Sequence, residues 1–304
     1  MLLNRYKITV TAVEDGSLPG FLGSFLRGVF GETLNRYHPL GYRYFFRLQL
    51  KREHPYFKIF GNNPPAPYWF YIPRRIREIK TGESFHFFLT FIENPFFPPE
   101  SLPVLFNHAF ERRLYKGRFS GRLSSVEMQG SAPGNPQIDI KHLDNLHTVH
   151  KDFIIQMPVP VSLMRNKIPL PPVNPFDLFH FIIHRAIMLK HLARLLSDIE
   201  HLRGEYEPET DNGNSDLFIK PQLLESQALK EIFPVRPALR MQTVYRSPKR
   251  KEKYPMRGWS GRFTLRNVSL DFFKLLKLAE LIHVGSNTSL GFGKLIVNPL
   301  EQNQ

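Results

Sequence analysis

The sequence predicts an α+β protein made of two tandem domains, each with the element order strand, helix, strand, strand, helix, strand. Three observations support this fold class. Stretches that alternate apolar and polar residues, as half-buried strands do, are interleaved with stretches of helical spacing. This order occurs once in each half of the chain. Between the halves lies SAPGNPQ (131–137), whose composition is typical of a linker.

The first half opens with a predicted strand over 3–13 (LNRYKITVTAV), where apolar and polar residues alternate. A helix is predicted over 20–36, and Pro39 and Gly41 are expected to end it. The remaining elements of this half are aromatic strands at 42–50, 68–73 and 85–92, a helix at 98–115 and a closing strand at 122–130. Without the extra hairpin, the order is β-α-β-β-α-β.

The second half repeats the order. Strands are predicted at 151–161, 240–245, 261–270 and 291–299, and helices at 175–199 and 271–283. A split β-α-β motif that occurs twice is the arrangement of two tandem ferredoxin-like domains. We therefore predict an N-terminal domain over residues 1–140 and a C-terminal domain over residues 150–304.

Composition excludes several classes of protein. Lys and Arg number 41 against 27 Asp and Glu, and the net charge of +14 favours a polyanionic partner such as nucleic acid. The lack of cysteine excludes disulfides, thiolate zinc sites and cysteine nucleophiles, and it suits a cytoplasmic protein. No apolar stretch reaches the roughly 18 residues that a membrane-spanning helix needs. We expect a cytoplasmic protein with no membrane segment and no cofactor.

The strongest basic cluster lies in 245–262, between two predicted strands, and is expected at the tip of a β-hairpin. Its excess of cations suits a phosphate backbone, and Tyr245, Tyr254 and Trp259 are available to stack on bases. The cations predicted to bind RNA are Arg246, Lys249, Arg250, Lys251, Lys253, Arg257 and Arg262. The alternative is a solvated hairpin that binds nothing.

A glycine-rich loop, HVGSNTSLGFGKLIV (283–297), lies between a predicted helix and the last strand. Glycine tolerates positive φ and lets the main chain approach a phosphate without interference from a Cβ atom. The order helix, loop, strand and the lack of GK[ST] exclude a Walker loop. The alternative is a tight turn that serves only packing. The residues of this loop predicted to contact RNA are Gly285, Asn287, Gly291, Gly293 and Lys294.

This loop, the strand GRFTLRNVSL (261–270) before it and the segment GFLGSFLRGVFGETL (20–34) resemble the CRISPR-associated repeat-RNA endoribonucleases of the RAMP superfamily. The resemblance covers both ends of the chain, whereas residues 60–240 share only the pattern of elements. It implies an RRM-like ferredoxin fold and an enzyme of antiviral defence that cuts CRISPR transcripts into guide RNA. It also implies metal-independent cleavage, in which the ribose 2′-OH attacks the adjacent phosphate and leaves a 2′,3′-cyclic phosphate and a 5′-OH.

The resemblance implies a catalytic histidine just after the first helix, where His38 stands beside Tyr37 and Arg36. An imidazole serves as acid or base near neutral pH, and a guanidinium stabilises charge on a phosphate. Tyr37 is suited to orient a proton or to stack on a nucleotide. Arg27 and Arg43 are predicted to contact RNA near this histidine.

Several alternatives stay open at this stage. His38 is also interpretable as a surface histidine at a helix end, and His54, beside Lys51, is the second catalytic candidate. The helix predicted at 175–199 carries one acidic residue and three histidines on roughly one face. This pattern suits either a metal site or a polar face of an amphipathic helix, and we predict no metal site. These residues are Asp177, His180, His184 and His191.

The predicted partner is CRISPR repeat RNA, the precursor of guide RNA. The alternative function is a non-catalytic RNA-binding subunit of a CRISPR effector complex, with the same fold and loop but without a working base. Effector-complex proteins and a second copy of this chain are further partners that the sequence leaves open.

Overall fold

The computed structural model describes residues 2–300 except 63, 75, 94–96, 112–113, 115–116, 130–136, 140–150, 167, 202–220 and 247–253. The chain divides into two compact units. The first consists of Met1–Asp139 with Leu189–Glu209, and the second of Ile140–Met188 with Thr210–Gln304.

The first unit combines helices with an antiparallel sheet. Its strands are β1 (Leu2–Ala12), β2 (Gly16–Ser17), β3 (Tyr68–Tyr71), β4 (Glu78–Ile79), β5 (Ser84–Ile92), β6 (Gly121–Met128) and β7 (Gln137–Asp139). Its helices are α1 (Leu22–Tyr37), α2 (Pro39–Phe46), α3 (Phe57–Phe60) and α4 (Ser101–Phe110). The main sheet has the order β3-β5-β1-β6, and β7 also pairs with β1. The first strand therefore lies between two later ones, as a split β-α-β motif requires.

Only one face of this sheet carries the core. Tyr6, Ile8 and Val10 of β1 are buried, whereas Arg5 and Lys7 alternate with them and are partly exposed. Successive side chains of a strand point to opposite faces, so the arginine and the lysine lie on the outer face.

Phenylalanine fills the core on the inner face. Phe30 of α1 meets the rings of Tyr68 and Phe70 on β3 at centroid distances of 5.5 and 6.0 Å. It also stacks on Phe106 of α4 at 5.9 Å. Helices α1 and α4 are thereby held side by side on the inner face of the sheet.

The second unit repeats the sheet order. Its strands are β8 (Lys151–Val161), β9 (Leu163–Arg165), β10 (Ile168–Leu170), β11 (Phe233–Arg246), β12 (Tyr254–Val268) and β13 (Ile296–Pro299). Its helices are α6 (Gln227–Glu231), α7 (Leu270–Ile282) and the greater part of α5 (Pro175–His201), which belongs to this unit as far as Met188. The main sheet has the order β11-β12-β8-β13, again antiparallel. The α+β class predicted from the pattern is confirmed.

The structure corrects the predicted strand at 42–50, because α2 occupies most of that segment. Pro39, which was expected to end a helix, stands at the start of the next one, where its fixed φ suits the first turn. The buried residues Gly41, Tyr44 and Phe45 follow helical spacing. An aromatic run by itself does not distinguish this period from that of a strand.

The predicted hairpin is confirmed, but its tip is shorter than predicted, because Tyr245 and Arg246 belong to β11 and residues 254–262 belong to β12. β11 and β12 pair antiparallel up to the pair Arg246↔Tyr254. Residues 247–253, with the predicted RNA contacts Lys249, Arg250, Lys251 and Lys253, lie outside the described residues. The last strand begins later than predicted, at Ile296.

No helix among the residues that the structure describes is long and apolar enough to cross a membrane.

Candidate active site

His38 lies at the junction of two helices. Its backbone N–H donates to the carbonyl oxygen of Leu34 at 2.8 Å and closes α1. Its side-chain Nδ1 accepts a hydrogen bond from the backbone N–H of Gly41 at 3.0 Å and caps α2. Because that N–H occupies the Nδ1 lone pair, the neutral ring carries its proton on Nε2. The junction therefore fixes the tautomer of His38.

Gly41 makes this arrangement possible. A Cβ atom at position 41 would lie 2.8 Å from Nδ1 of His38 and 3.1 Å from a ring carbon of Phe97. Phe97 is fully buried and packs edge-on against the imidazole, with 5.3 Å between ring centroids. The His38 ring is thus held between the start of α2 and a core phenylalanine.

Tyr37 joins the end of α1 to a second histidine, on α4. Its ring, 46% exposed, stacks on the ring of His108 with centroids 4.5 Å apart and an interplanar angle of 14°. Nδ1 of His108 lies 3.3 Å from Oε2 of Glu111. The guanidinium carbon of Arg36 lies 5.4 Å from the centre of the Tyr37 ring. The side chains of Arg36, Tyr37, His108 and Glu111 therefore form one connected group.

Sequence reasoning missed His108. The spacing of His108 and Glu111 on a predicted helix is the signal that was available, because residues three apart share a helix face. The contact with Tyr37 joins α1 to α4 and was not available from any local pattern. His108 and Glu111 are both partly exposed, with side-chain exposures of 38% and 57%.

The two predicted RNA contacts nearest this junction differ in surroundings. Arg43 is exposed on α2. Arg27 is half-buried, and its guanidinium carbon lies 5.7 Å from the centre of the Phe46 ring. Arg43 is therefore free to meet a phosphate in solvent, whereas Arg27 also contributes to packing along α1.

The second catalytic candidate lies elsewhere in the first unit. Nδ1 of His54 accepts a hydrogen bond from the backbone N–H of Tyr56 at 3.2 Å, so this ring also carries its neutral proton on Nε2. Lys51 lines an open cleft of about 610 Å³ together with Gln49, Leu50, Arg52, Phe57 and Asn62. His54 itself is not among the lining residues.

The histidine face of α5 has protein partners. Asp177 accepts a hydrogen bond from Arg165 at 2.6 Å, and His180 stacks on Phe176 with 6.2 Å between centroids. Burial lowers the pKa of His184 and of His191. Within the described part of the chain, no three His, Asp or Glu residues are grouped as a metal site requires.

The glycine-rich loop folds against its own domain. Gly285 has φ 85° and Gly293 has φ 87°, values that disfavour any residue with a Cβ atom. A Cβ at position 285 would collide with the carbonyl oxygen of Ser162, and one at position 293 with the backbone of Val284. Gly293 N–H donates to the carbonyl of Pro160 at 2.9 Å. These two glycines are required by neighbouring protein backbone.

The cations of this loop region are also engaged inside the protein. Lys294 is buried, and its ammonium donates to the carbonyl oxygen of Glu280 on α7. Arg185 of α5 donates to the hydroxyl of Thr288 at 3.1 Å, and burial lowers its pKa to about 10. Ser286 is the exposed residue at the tip, and Asn287, with φ 62°, is half-buried. Packing within the domain accounts for Lys294 without RNA.

The hairpin strands present cations to solvent. Arg257 and Arg262 are exposed on β12, and Arg240 is exposed on the adjacent edge strand β11. Arg266, further along β12, lies 3.4 Å from Asp152. Arg240, Arg257 and Arg262 therefore form a set of exposed cations along the two strands of the hairpin.

Two family models match the chain. Residues 155–295 match the model described as CRISPR-associated endoribonuclease Cas6. Residues 1–151 match a model described as an N-terminal domain. No curated protein matches the chain.

Several solved structures share the fold. Thermus thermophilus Cas6 has a TM-score of 0.54 and 15% identity, with 98% of each chain covered. A product complex of the same Cas6 has a TM-score of 0.56 and 15% identity, covering 98% of this chain and 99% of that one. A partial Cas6-RT-Cas1–Cas2 complex has a TM-score of 0.58 and 13% identity, covering 98% of this chain and 46% of that one. At such low identity these likenesses establish the tandem ferredoxin-like fold.

Proposed function

We propose that this chain, a CRISPR repeat-processing endoribonuclease whose residues 155–295 belong to the Cas6 family, cleaves its RNA without a metal ion. The 2′-oxygen of one ribose attacks the adjacent phosphorus, and the 5′-oxygen of the next nucleotide leaves with the bonding electron pair. The products are a 2′,3′-cyclic phosphate and a 5′-OH. The observation that carries this proposal is the pair of imidazoles, His38 and His108, linked through Tyr37 at the end of α1.

The hydrogen bonds of the two histidines support complementary roles for them in this proposal. Neutral His108 carries its proton on Nδ1, facing Glu111, which leaves Nε2 free to accept the 2′-proton. The imidazolium that forms is stabilised by the same carboxylate. Neutral His38 presents an Nε2–H, because its Nδ1 faces the N–H of Gly41.

His38 therefore acts as a hydrogen-bond donor to the departing 5′-oxygen, in the manner of a neutral imidazole that polarises an oxygen. The 5′-oxygen takes its proton from water, and the hydroxide that remains accepts the proton from His108. Arg36 lies beside Tyr37 and stabilises charge on the phosphate. In this scheme Tyr37 positions the His108 ring.

We place the catalytic residues in an N-terminal domain over 1–140 and the basic hairpin in a C-terminal domain over 150–304. Two of the similar solved structures are product complexes of Cas6, which supports repeat RNA as the ligand. Exposure supports Arg43, Arg257 and Arg262 as phosphate contacts. Arg246, Lys249, Arg250, Lys251 and Lys253 are proposed as further phosphate contacts because of their charge.

The test is incubation of the protein with synthetic repeat RNA in EDTA, followed by analysis of the end groups. We expect cleavage to a 2′,3′-cyclic phosphate and a 5′-OH, and no cleavage when the ribose at the cut carries a 2′-deoxy substitution. Inhibition by EDTA would reject the metal-free mechanism. Binding of repeat RNA without cleavage would favour a non-catalytic subunit of an effector complex. One similar solved structure is part of a larger assembly, the Cas6-RT-Cas1–Cas2 complex.

A further inference from the structure

Three polar side chains at the end of α4 form a series of hydrogen bonds that leads to the His108 imidazole. The amide Nδ2 of Asn107 donates to Oε1 of Glu111 at 2.6 Å. The other oxygen of the same carboxylate, Oε2, lies 3.3 Å from Nδ1 of His108. Residues three and four positions apart lie side by side on a helix, so one carboxylate reaches both partners. Each oxygen of Glu111 is therefore engaged, one by an amide and one by an imidazole.

Glu111 stands where a helix disfavours a carboxylate. It is the C-cap of α4, and its backbone N–H donates to the carbonyl oxygen of Asn107 at 3.0 Å. The C-terminal end of a helix carries partial negative charge, which repels an anion. The side chain is also 57% exposed, and an exposed carboxylate without partners samples several rotamers. The two N–H groups that face the carboxylate are what favours a single orientation of it.

We propose that Asn107 is a positioning residue for cleavage, which holds the Glu111 carboxylate so that Oε2 faces Nδ1 of His108. The proposal rests on the proposed function, in which Nε2 of His108 accepts the 2′-proton. An ionised carboxylate only accepts hydrogen bonds, so it keeps the neutral ring protonated on Nδ1 and leaves the lone pair on Nε2. Without Asn107, the carboxylate is free to rotate away, and the ring gains access to the tautomer that carries its proton on Nε2.

A neutral amide is a suitable donor for this task. Asn107 orients the carboxylate without cancelling its charge, so that charge remains available to the imidazolium that forms during proton transfer. A lysine or arginine in its place would pair with Glu111 and compete with that imidazolium. Asn107 is exposed, whereas the core side of α4 carries Phe106 and Phe110. Its side chain is therefore not required for packing.

The stacking contact on the His108 ring restricts a different property of it. Tyr37 covers one face of the ring, with centroids 4.5 Å apart. Such stacking restricts where the ring lies but does not select the nitrogen that carries the proton. Glu111 meets the ring edge at Nδ1 and does select it. Removal of Asn107 should therefore disturb the tautomer and leave the stacking in place.

The first test is single-turnover cleavage of repeat RNA by Asn107→Ala. We expect the rate constant at saturation to fall about tenfold and the affinity for RNA to stay within about twofold, because the side chain orients a group and does not touch substrate. Alanine favours a helix more than asparagine does, so α4 is not expected to unfold. Asn107→Gln keeps the amide donor on a longer side chain and should recover part of the rate.

Asn174→Ala is the matched control. It removes another exposed asparagine, whose side-chain oxygen accepts a hydrogen bond from the backbone N–H of Phe176 at 2.9 Å at the start of α5. This variant should cleave at the wild-type rate. A wild-type rate for Asn107→Ala, or an equal loss of rate in both alanine variants, would overturn the proposal.

A double mutant tests whether Asn107 acts through His108. In a His108→Ala background, Asn107→Ala should cause no further loss of rate, because the imidazole that it positions is gone. A further loss of about tenfold in that background would show that Asn107 acts by another route and would overturn the proposal.

The tautomer of His108 provides a measurement that does not need cleavage. Nitrogen-15 NMR of the full-length protein distinguishes a neutral imidazole protonated on Nδ1 from one protonated on Nε2, and the His108 signals are those lost in His108→Ala. At about pH 8.5, where an ordinary imidazole is neutral, we expect the Nδ1–H form in the wild type and a shift toward Nε2–H in Asn107→Ala. An unchanged tautomer rejects the positioning role alone. Wild-type cleavage by His108→Ala, with the tautomer shift present, rejects only the proposed role of His108 as base.

Discussion

The α1–α2 junction around His38 and the glycine-rich loop differ in how strongly the sequence marks them and in what their residues contact. The loop is the more distinctive pattern, yet Gly285 and Gly293 face neighbouring backbone and Lys294 is buried on a carbonyl of α7. The junction has a less distinctive sequence, yet it presents Tyr37 and His38 at the surface. A glycine-rich motif indicates positions at which a Cβ atom is not tolerated. Close contact with another part of the protein backbone imposes this requirement as strictly as contact with a ligand does.

The largest effect on the rate of cleavage should come from removal of the imidazole of His38 or of His108. We expect His38→Ala and His108→Ala each to slow cleavage of repeat RNA by about 10²–10⁴-fold, the usual loss on removal of a proton-transfer or polarising group. Affinity for an uncleavable 2′-deoxy repeat should stay the same. His180→Ala is the control, because it removes an exposed, ring-stacked imidazole on α5. A wild-type rate for His108→Ala would remove His108 from the mechanism.

The next effect separates packing from ligand binding in the loop. We expect Gly293→Ala to lower the free energy of unfolding by about 3 kcal/mol, because alanine disfavours φ 87° and its Cβ meets the backbone of Val284. Urea denaturation measures this. Gly28→Ala is the control: its added Cβ meets nothing on the exposed face of α1, and it should raise stability by about 0.5–1 kcal/mol. A stable Gly293→Ala that binds RNA poorly would instead make the loop an RNA site.

A smaller effect tests how the His38 ring is held. We expect Gly41→Ala to reduce kcat roughly 10- to 100-fold with little change in KM, because the new Cβ displaces the imidazole by a fraction of an ångström to an ångström. Single-turnover cleavage of saturating repeat RNA measures it. If kcat is unchanged while the variant is less stable, Gly41 serves only the fold of α2.

The smallest effect compares a loop cation with a hairpin cation. We expect Arg262→Gln to reduce the slope of log affinity against log salt by about one, as the loss of one phosphate contact does. Lys294→Met should leave that slope unchanged, because its ammonium is bound to the carbonyl of Glu280. Salt titrations of repeat RNA binding measure both. The opposite result would reverse the roles that the structure gives to these two cations.

Local patterns predicted much of the fold because strand and helix periods are properties of neighbouring residues. The alternation in 3–13 predicts β1 with its buried face, and the two strands predicted on either side of the basic cluster predict the hairpin of β11 and β12. The run at 42–50 was assigned wrongly because its aromatic residues satisfy both periods. In the structure the segment is helical, and Nδ1 of His38 caps its start by accepting a hydrogen bond from the N–H of Gly41.

The amino-acid sequence by itself determined the order of the elements, the excess of positive charge and the position of His38 after the first helix. Only the tertiary structure decided that His108 meets Tyr37, that Lys294 is buried, and that Phe88 lies beside Arg5 and Tyr71 on the outer face of a sheet. The physical reason is that periodicity and composition act along the chain, whereas these contacts join residues on different elements. Such contacts form only once the helices have packed on the sheet and the strands have taken their register.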